Sequence, residues 1–222
     1  MEEYKLGIFK EECRNRFLCK IQIEEDIEEC YLSSSCKLGH FIDLKDKRVL
    51  LKSNKGKKLR TSYTLQALWE KNKKILLNLN YINDLVADEL YRDKIEKNII
   101  KREHWVNEKI KTDFYNDLTK EVVEVKGILT EKSSALFPSI KTERAVNQLK
   151  EYKKLLKKGY KIKYIIVLMN DKIEKLYLNN DEKEFCKLFK ACKKLGMSCE
   201  FYGVKWNKYT PILLKKEGFI IE

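Results

Sequence analysis

The apolar pattern changes period near residue 80, and this change narrows the possible folds more than any other feature of the chain. Before it, short runs alternate: Phe17-Leu-Cys-Lys-Ile-Gln-Ile23, Glu29-Cys-Tyr-Leu32, Arg48-Val-Leu-Leu-Lys52, and residues 61–69 and 74–79. Side chains two apart on a strand share a face, so these read as five or so short strands, a small β-barrel or curled sheet. After it, residues 82–91 carry apolar side chains at helical spacing, with Asn83 as a candidate N-cap. Strands are expected over 109–115, 120–126, 161–169, 175–178 and 198–202, and helices over 142–159 and 181–195, the latter two ended by Gly159 and Gly196. Strands alternating with helices predict an α/β domain with a mixed central sheet and helices on its faces. Two domains follow, 1–80 and 81–222.

Within the second part, the two strands over 109–115 and 120–126 are joined by only Asn116-Asp-Leu-Thr119, so an antiparallel hairpin is expected. Glu124 and Lys126 then share one face while Val123 and Val125 pack inward, and Asp113 on the neighbouring strand approaches the same face. Two converging carboxylates make an oxygen-ligand site for Mg2+ or Mn2+, and an adjacent lysine can orient or deprotonate a water for attack on phosphorus. The acid-x-Lys triplet alone says little, since about six arise by chance in so charged a chain. Charged ladder pairs on an exposed sheet face are the alternative for these residues.

Charge distribution bears on that choice. The chain carries 47 Lys+Arg against 34 Asp+Glu, net +13. Residues 45–74 hold eleven Lys/Arg and two acids, and residues 141–163 hold nine and two. With +9 and +7 in two segments, the remainder is slightly acidic, a clustering that suits a polyanionic partner such as nucleic acid. Candidate contacts are Lys55, Lys57, Lys58, Arg60 and Tyr63 in the first segment and Arg144 in the second. Of the aromatics Tyr63, Trp69 and Tyr81, which could stack on bases or simply pack in the core, one at most is expected to touch nucleic acid. No apolar run approaches the roughly 20 residues of a membrane span, and no secretory signal precedes the first strand, so a soluble, cytoplasmic protein is expected. Seven cysteines, an odd number with no C-x-x-C pair, read as structural thiols. His40 and His104 lack partners at metal-ligand spacing, and no glycine-rich nucleotide motif occurs.

Phe137-Pro-Ser-Ile-Lys-Thr-Glu-Arg144, following Glu124-Val-Lys126, resembles the signature of the sugar fermentation stimulation protein (SfsA) family, in which E-V-K is followed by F-P-D-A-x-T-x-R-G. Arg14-Asn-Arg-Phe17, Leu77-Asn-Leu-Asn-Tyr-Ile-Asn-Asp-Leu85, Lys111-Thr-Asp-Phe114 and Cys199-Glu-Phe-Tyr202 resemble further segments of that family in the same order. The resemblance implies an N-terminal OB-fold-like barrel followed by a PD-(D/E)XK nuclease-like domain, with DNA more than RNA as partner. It assigns metal binding to Asp113 and Glu124 and the nuclease-type lysine role to Lys126. Glu103 would be an additional acid of the site, and Arg144 would contact phosphate or cap its helix through a salt bridge. Gln148 and Tyr152 form a Q-x-x-x-Y pair known from exonuclease branches, core packing being the alternative for Tyr152. The implied activity is Mg2+-dependent phosphodiester hydrolysis. The competing expectation is a non-catalytic DNA-binding regulator of sugar (maltose) metabolism on the same fold, in either case as a possible homo-oligomer. The sequence departs from the family pattern at Ser33-Ser-Ser-Cys-Lys-Leu38, which lacks the usual Pro, Asn and Gly, and at Ser139, Ala145 and Gln148.

Overall fold

The computed structural model describes residues 4–33, 37–54, 60–91, 99–140 and 143–222. The elements in chain order are β1 (Tyr4–Glu12), β2 (Leu18–Ile23), β3 (Asp26–Tyr31), β4 (Arg48–Ser53), β5 (Tyr63–Glu70), β6 (Lys73–Leu76) and α1 (Leu79–Leu90). There follow β7 (Ile100–Asn107), β8 (Ile110–Asn116), β9 (Glu121–Ile128), β10 (Ser134–Phe137), α2 (Glu143–Lys157), β11 (Lys161–Leu168), β12 (Lys175–Leu178), α3 (Lys183–Lys194), β13 (Ser198–Asn207) and β14 (Thr210–Lys215).

The first six strands form one sheet in the order β3-β2-β1-β4-β5-β6, and a parallel pairing of Tyr31 with Thr64 brings β3 round to β5, so the sheet curls on itself. Strand β1 is absent from the periodicity reading because one of its two buried positions, Gly7, is a glycine, which leaves Phe9 as its one buried apolar side chain. A Cβ on Gly7 would lie 2.5 Å from Ile21 Cγ2 and 2.8 Å from the Gln22 carbonyl oxygen, so the close approach of β1 to β2 excludes any side chain there.

The second sheet runs β14-β13-β11-β9-β8-β7, with β9, β11 and β13 parallel and the outer strands antiparallel, which is the mixed sheet expected. The β8–β9 hairpin forms where the sequence predicts it. The Asn116 side chain accepts from the backbone N–H groups of Leu118 and Thr119 at 2.9 and 3.2 Å and so closes the turn. Helices α2 and α3 stop just before Gly159 and Gly196, whose φ of 83° and 99° glycine adopts without strain. Three further strands escape the sequence reading: β7, rich in charge and bulged between Trp105 and Asn107, and β14, which contains Pro211, both at edges of the second sheet, and the short β10, which pairs with β12 apart from the two large sheets.

One helix boundary requires correction. Helix α1 starts at Leu79, not Ile82, and its N-cap is Asn78, whose side chain accepts from the Tyr81 N–H at 3.2 Å. Asn83 lies one turn inside the helix and has a different task. The N-terminus of α1 is tied to the first sheet: Asn78 Nδ2 donates to Gln66 Oε1 at 3.1 Å, and the Asn80 N–H donates to Ser33 Oγ at 3.1 Å.

Apolar residues of the first sheet (Leu51, Leu68, Ile75), of α1 (Ile82, Val86) and of one face of the second sheet (Val125, Val167) form one continuous core. A second core lies between the other face of that sheet and α2 with α3, around Tyr152, Ile166, Phe185 and Phe189. The sheets are therefore joined by shared burial and also by one polar clamp. Glu131, after β9, accepts from Lys73 Nζ at 2.6 Å, from Lys47 Nζ at 3.2 Å and from the Asp43 N–H at 3.0 Å.

Burial pushes the Glu131 carboxyl up, but the hydrogen bonds and charges of Lys73 and Lys47 outweigh it and hold the group below its ordinary value. A depressed carboxylate contributes stability above its unfolded value and loses it as pH falls through the folded one. Glu131→Gln is expected to cost about 1–2 kcal/mol at pH 7, and the cost should shrink as the pH is lowered below 4. Urea denaturation of both proteins at pH 7 and pH 3.5 measures this, and an equal cost at both would contradict it.

Candidate functional site

The β8–β9 ladder pairs Asn116 with Glu121, Tyr115 with Val122 and Phe114 with Val123, and ends there. Beyond that point side chains take over the backbone groups left by the parting strands. Asp113 Oδ2 accepts the Val125 N–H at 2.8 Å, and the Thr112 hydroxyl donates to the Val123 carbonyl at 2.8 Å. The parting opens a cleft of about 500 Å3 lined by Asp113, Glu124 and Lys126. Leu38, Phe41 and Leu79 close it from the N-terminal half of the chain, and Pro138, Ile140 and Arg144 from the segment leading into α2. The structure thus brings together the three residues that the hairpin reading placed on one face.

Each carboxylate is held by two donors, at least one of them from another element. Glu124 is 4% exposed, with Tyr152 Oη donating to its Oε2 at 2.5 Å and Lys126 Nζ to its Oε1 at 2.5 Å. Asn83 reaches across from α1 and donates through Nδ2 to Asp113 Oδ1 at 3.0 Å. Burial first, and the neighbouring Glu124 carboxylate second, push the Asp113 carboxyl up to about 6, against the hydrogen bonds from Val125 and Asn83 and the charge of Lys126. Burial and the same carboxylate push the Tyr152 phenol well above its ordinary value, so it remains a donor at any working pH.

Gln148 is buried and lines the cleft, and Arg144 stands exposed at its rim. Tyr152 is fully buried, in agreement with core packing, yet its hydroxyl belongs to the site through Glu124. Glu103 does not join them. It lies on the edge strand β7 at φ 51°, exposed, with its carboxylate 2.6 Å from Lys111 Nζ, and is not among the residues that line the cleft.

Arg60 lines a separate groove with Phe17 and Tyr31 and stands 4.0 Å from Glu29, while Tyr63 lies half-buried under Lys5. Lys55, Lys57 and Lys58 lie outside the described residues. Trp69 packs edge-on against Trp206 with Lys74 over its ring, and Tyr81 sits beneath Lys52. The six described cysteines are free thiols, and four of them are buried. Among the described residues no three His, Cys, Asp or Glu side chains cluster as a metal site, and no helix is long and apolar enough to cross a membrane.

The partner that sequence reasoning misses is Asn83, which could be suspected only by knowing that α1 packs beside the hairpin; Tyr152 is flagged by the Q-x-x-x-Y spacing, but its bond to Glu124 is not. Leu38 and Phe41, from a connection in the first sheet, carry no local signal.

A family model described as the sugar fermentation stimulation protein RE domain matches residues 80–210. Among curated relatives, the sugar fermentation stimulation protein homolog of Pelagibacter ubique is 23% identical over 210 residues, 90% of either chain. That of Ruminiclostridium cellulolyticum is 28% identical over 203 residues, 87% of either chain. That of Saccharolobus solfataricus is 30% identical over 172 residues, 77% of this chain and 66% of the relative. The solved structure of Pyrococcus furiosus SfsA in complex with Ca2+ superimposes with a TM-score of 0.77 at 20% identity, covering 100% of this chain and 98% of that one. A match over more than half the chain, joined to a fold shared along its whole length, places this protein in the sugar fermentation stimulation protein family.

Proposed function

We propose that the chain binds nucleic acid and hydrolyses phosphodiester bonds with a divalent cation, Mg2+ or Mn2+, held by Asp113 and Glu124. The observation that carries this reading is that two carboxylates and one lysine share a single cleft in a chain of net charge +13. The donor set fits a hard cation: it is all oxygen, and the one hydrogen bond described at each carboxylate oxygen leaves a lone pair to spare. The repulsion from Glu124 that helps push Asp113 up is also what a cation between the two would relieve. When bound, such an ion supplies charge neutralisation at the reacting phosphate. On this reading the curled first sheet is an OB-fold-like barrel and the second a PD-(D/E)XK-type sheet. Pyrococcus furiosus SfsA, solved with Ca2+, supports a hard divalent cation on this fold without favouring Mg2+.

The chain's own residues have separable tasks. Tyr152 and Lys126 fix Glu124 from two sides, and Val125 N–H with Asn83 fixes Asp113, so neither carboxylate needs to reorganise before substrate arrives. Lys126, its side chain 32% exposed, is the member of the trio that a phosphate or an attacking water can reach. Arg144 at the rim is placed to hold a flanking phosphate.

The second reading, a non-catalytic DNA-binding regulator of sugar metabolism, is favoured by one observation: the Lys126–Glu124 ion pair already neutralises the deeper carboxylate. Labelled single- and double-stranded DNA and RNA incubated with Mg2+ or Mn2+ decide between the two. Cleavage by the wild type, lost in Asp113→Ala and Lys126→Ala with binding retained, is the expected outcome. Binding without cleavage of any substrate favours the regulator.

A further inference from the structure

Most of the cations in the N-terminal basic segment that the structure describes already have partners within the chain. Lys47 and Lys73 hold Glu131, Lys52 and Lys74 lie over aromatic rings, and Arg60 faces Glu29. On the helical layer the situation is reversed. Lys183, Lys187, Lys190 and Lys194 of α3 recur at i, i+4, i+7 and i+11, all exposed, and none forms an ion pair among the described residues. This spacing puts them in one row along the helix, about 16 Å long at 1.5 Å per residue.

Helix α2 lies alongside, with Cys192 Sγ donating to the Leu149 carbonyl at 3.5 Å and Lys150 bridging to Glu184 at 2.8 Å. The acids Glu184 and Glu151 are each neutralised by a lysine of α2, which leaves Lys153 and Lys157 of α2 to add to the α3 row. Both helices begin near the cleft, since Arg144 of α2 and Phe185 of α3 both line it. The free charge therefore starts at the rim of the candidate site and runs away from it. No large apolar side chain is exposed between Lys183 and Lys194 to insert into a bilayer, which favours nucleic acid over a lipid surface.

We infer that the outer face of α3, with the adjoining lysines of α2, is the track on which a nucleic-acid duplex lays its phosphate backbone as it enters the cleft. This rests on the reading of the protein as a nucleic-acid-binding nuclease and names the surface that reading leaves open. The row is a backbone contact and reads no base sequence, so binding along it is sequence-independent and steeply salt-dependent.

The test measures binding alone, with a fluorescein-labelled 20-base-pair DNA duplex in EDTA across a salt series. Wild type, Lys187→Gln/Lys190→Gln/Lys194→Gln and a control of equal net charge, Lys132→Gln/Lys172→Gln/Lys205→Gln, are compared after circular dichroism shows all three folded. The control lysines are exposed and lie off both helices. The α3 variant is expected to lose about tenfold or more in affinity near 0.1 M salt, with a log–log salt slope shallower by about three units, and the control to stay close to wild type. Equal losses in both variants would overturn the track while leaving the nuclease reading intact. Absence of duplex binding by the wild type would overturn the track, as would binding to anionic phosphatidylserine vesicles in place of DNA; failure to bind single-stranded DNA and RNA as well would overturn the nuclease reading too.

Discussion

Asp113→Asn is expected to make the metal-free protein more stable at pH 8, by about 1–3 kcal/mol, while abolishing metal-dependent cleavage. The native carboxyl keeps its proton up to a pH of about 6, whereas the unfolded chain releases it near its ordinary value of 3.8. Between those values the folded state binds the extra proton, so stability falls as pH rises through that window and stays lowered above it. This is the reverse of the Glu131 case, because here burial and the Glu124 charge prevail over the hydrogen bonds. An amide removes the buried charge and can still accept from Val125. Urea denaturation at pH 8 and pH 5 in EDTA should therefore show a gain that narrows at the lower pH. A variant destabilised equally at both values would mean that Asp113 is a well-compensated structural carboxylate, and would count against its role as a metal ligand.

The second large effect concerns Tyr152. Replacing it with Phe keeps the ring that fills the core beneath α2 but deletes the donor that Glu124 Oε2 holds at 2.5 Å. A hydrogen bond to a charged group is worth about 1.5–3 kcal/mol, and the remaining partner, Lys126, reaches only the other oxygen. The expected fall in melting temperature is about 4–8 °C. Cleavage should fall with it, since Glu124 becomes free to turn away. If Tyr152→Phe melts like the wild type, the hydroxyl contributes nothing and the residue is a packing aromatic alone. The same measurement thus separates the two roles between which the Q-x-x-x-Y spacing does not distinguish.

Legibility from sequence tracked local geometry. The β8–β9 hairpin, the helices ending before Gly159 and Gly196 and the buried strand β11 are each specified by their own residues: turn chemistry, positive φ and an unbroken apolar run. Strand β1 is illegible because one of its two buried positions is a glycine required by the close approach of Ile21 and Gln22 across the sheet, and β7 because an edge strand need not bury a face. At the site, Asp113, Glu124 and Lys126 were readable from strand period and hairpin register. Glu103, suggested only by the family resemblance, lies exposed beside Lys111, and neither strand period nor hairpin register bears on it.

Asn83 illustrates the remaining limit. By sequence it is a plausible helix cap, and the true cap is Asn78, five residues earlier, where Gln66 of β5 and Ser33, just beyond β3, anchor the helix. That anchoring sets the rotation of α1 and delivers Asn83 to Asp113.

By itself, the sequence determined the family, the two regimes of secondary structure and the three residues at the heart of the candidate site, because strand period and turn chemistry act between near neighbours. It also showed that charge gathers in segments. Only the tertiary structure decided which charges are free: Glu131 and the aromatic rings absorb much of the N-terminal set, while the row on α3 forms no ion pair among the described residues. The structure also decided that Asp113 is costly to ionise. Burial and the distance between charges on separate strands are properties of the packed chain, and no count along the sequence contains them.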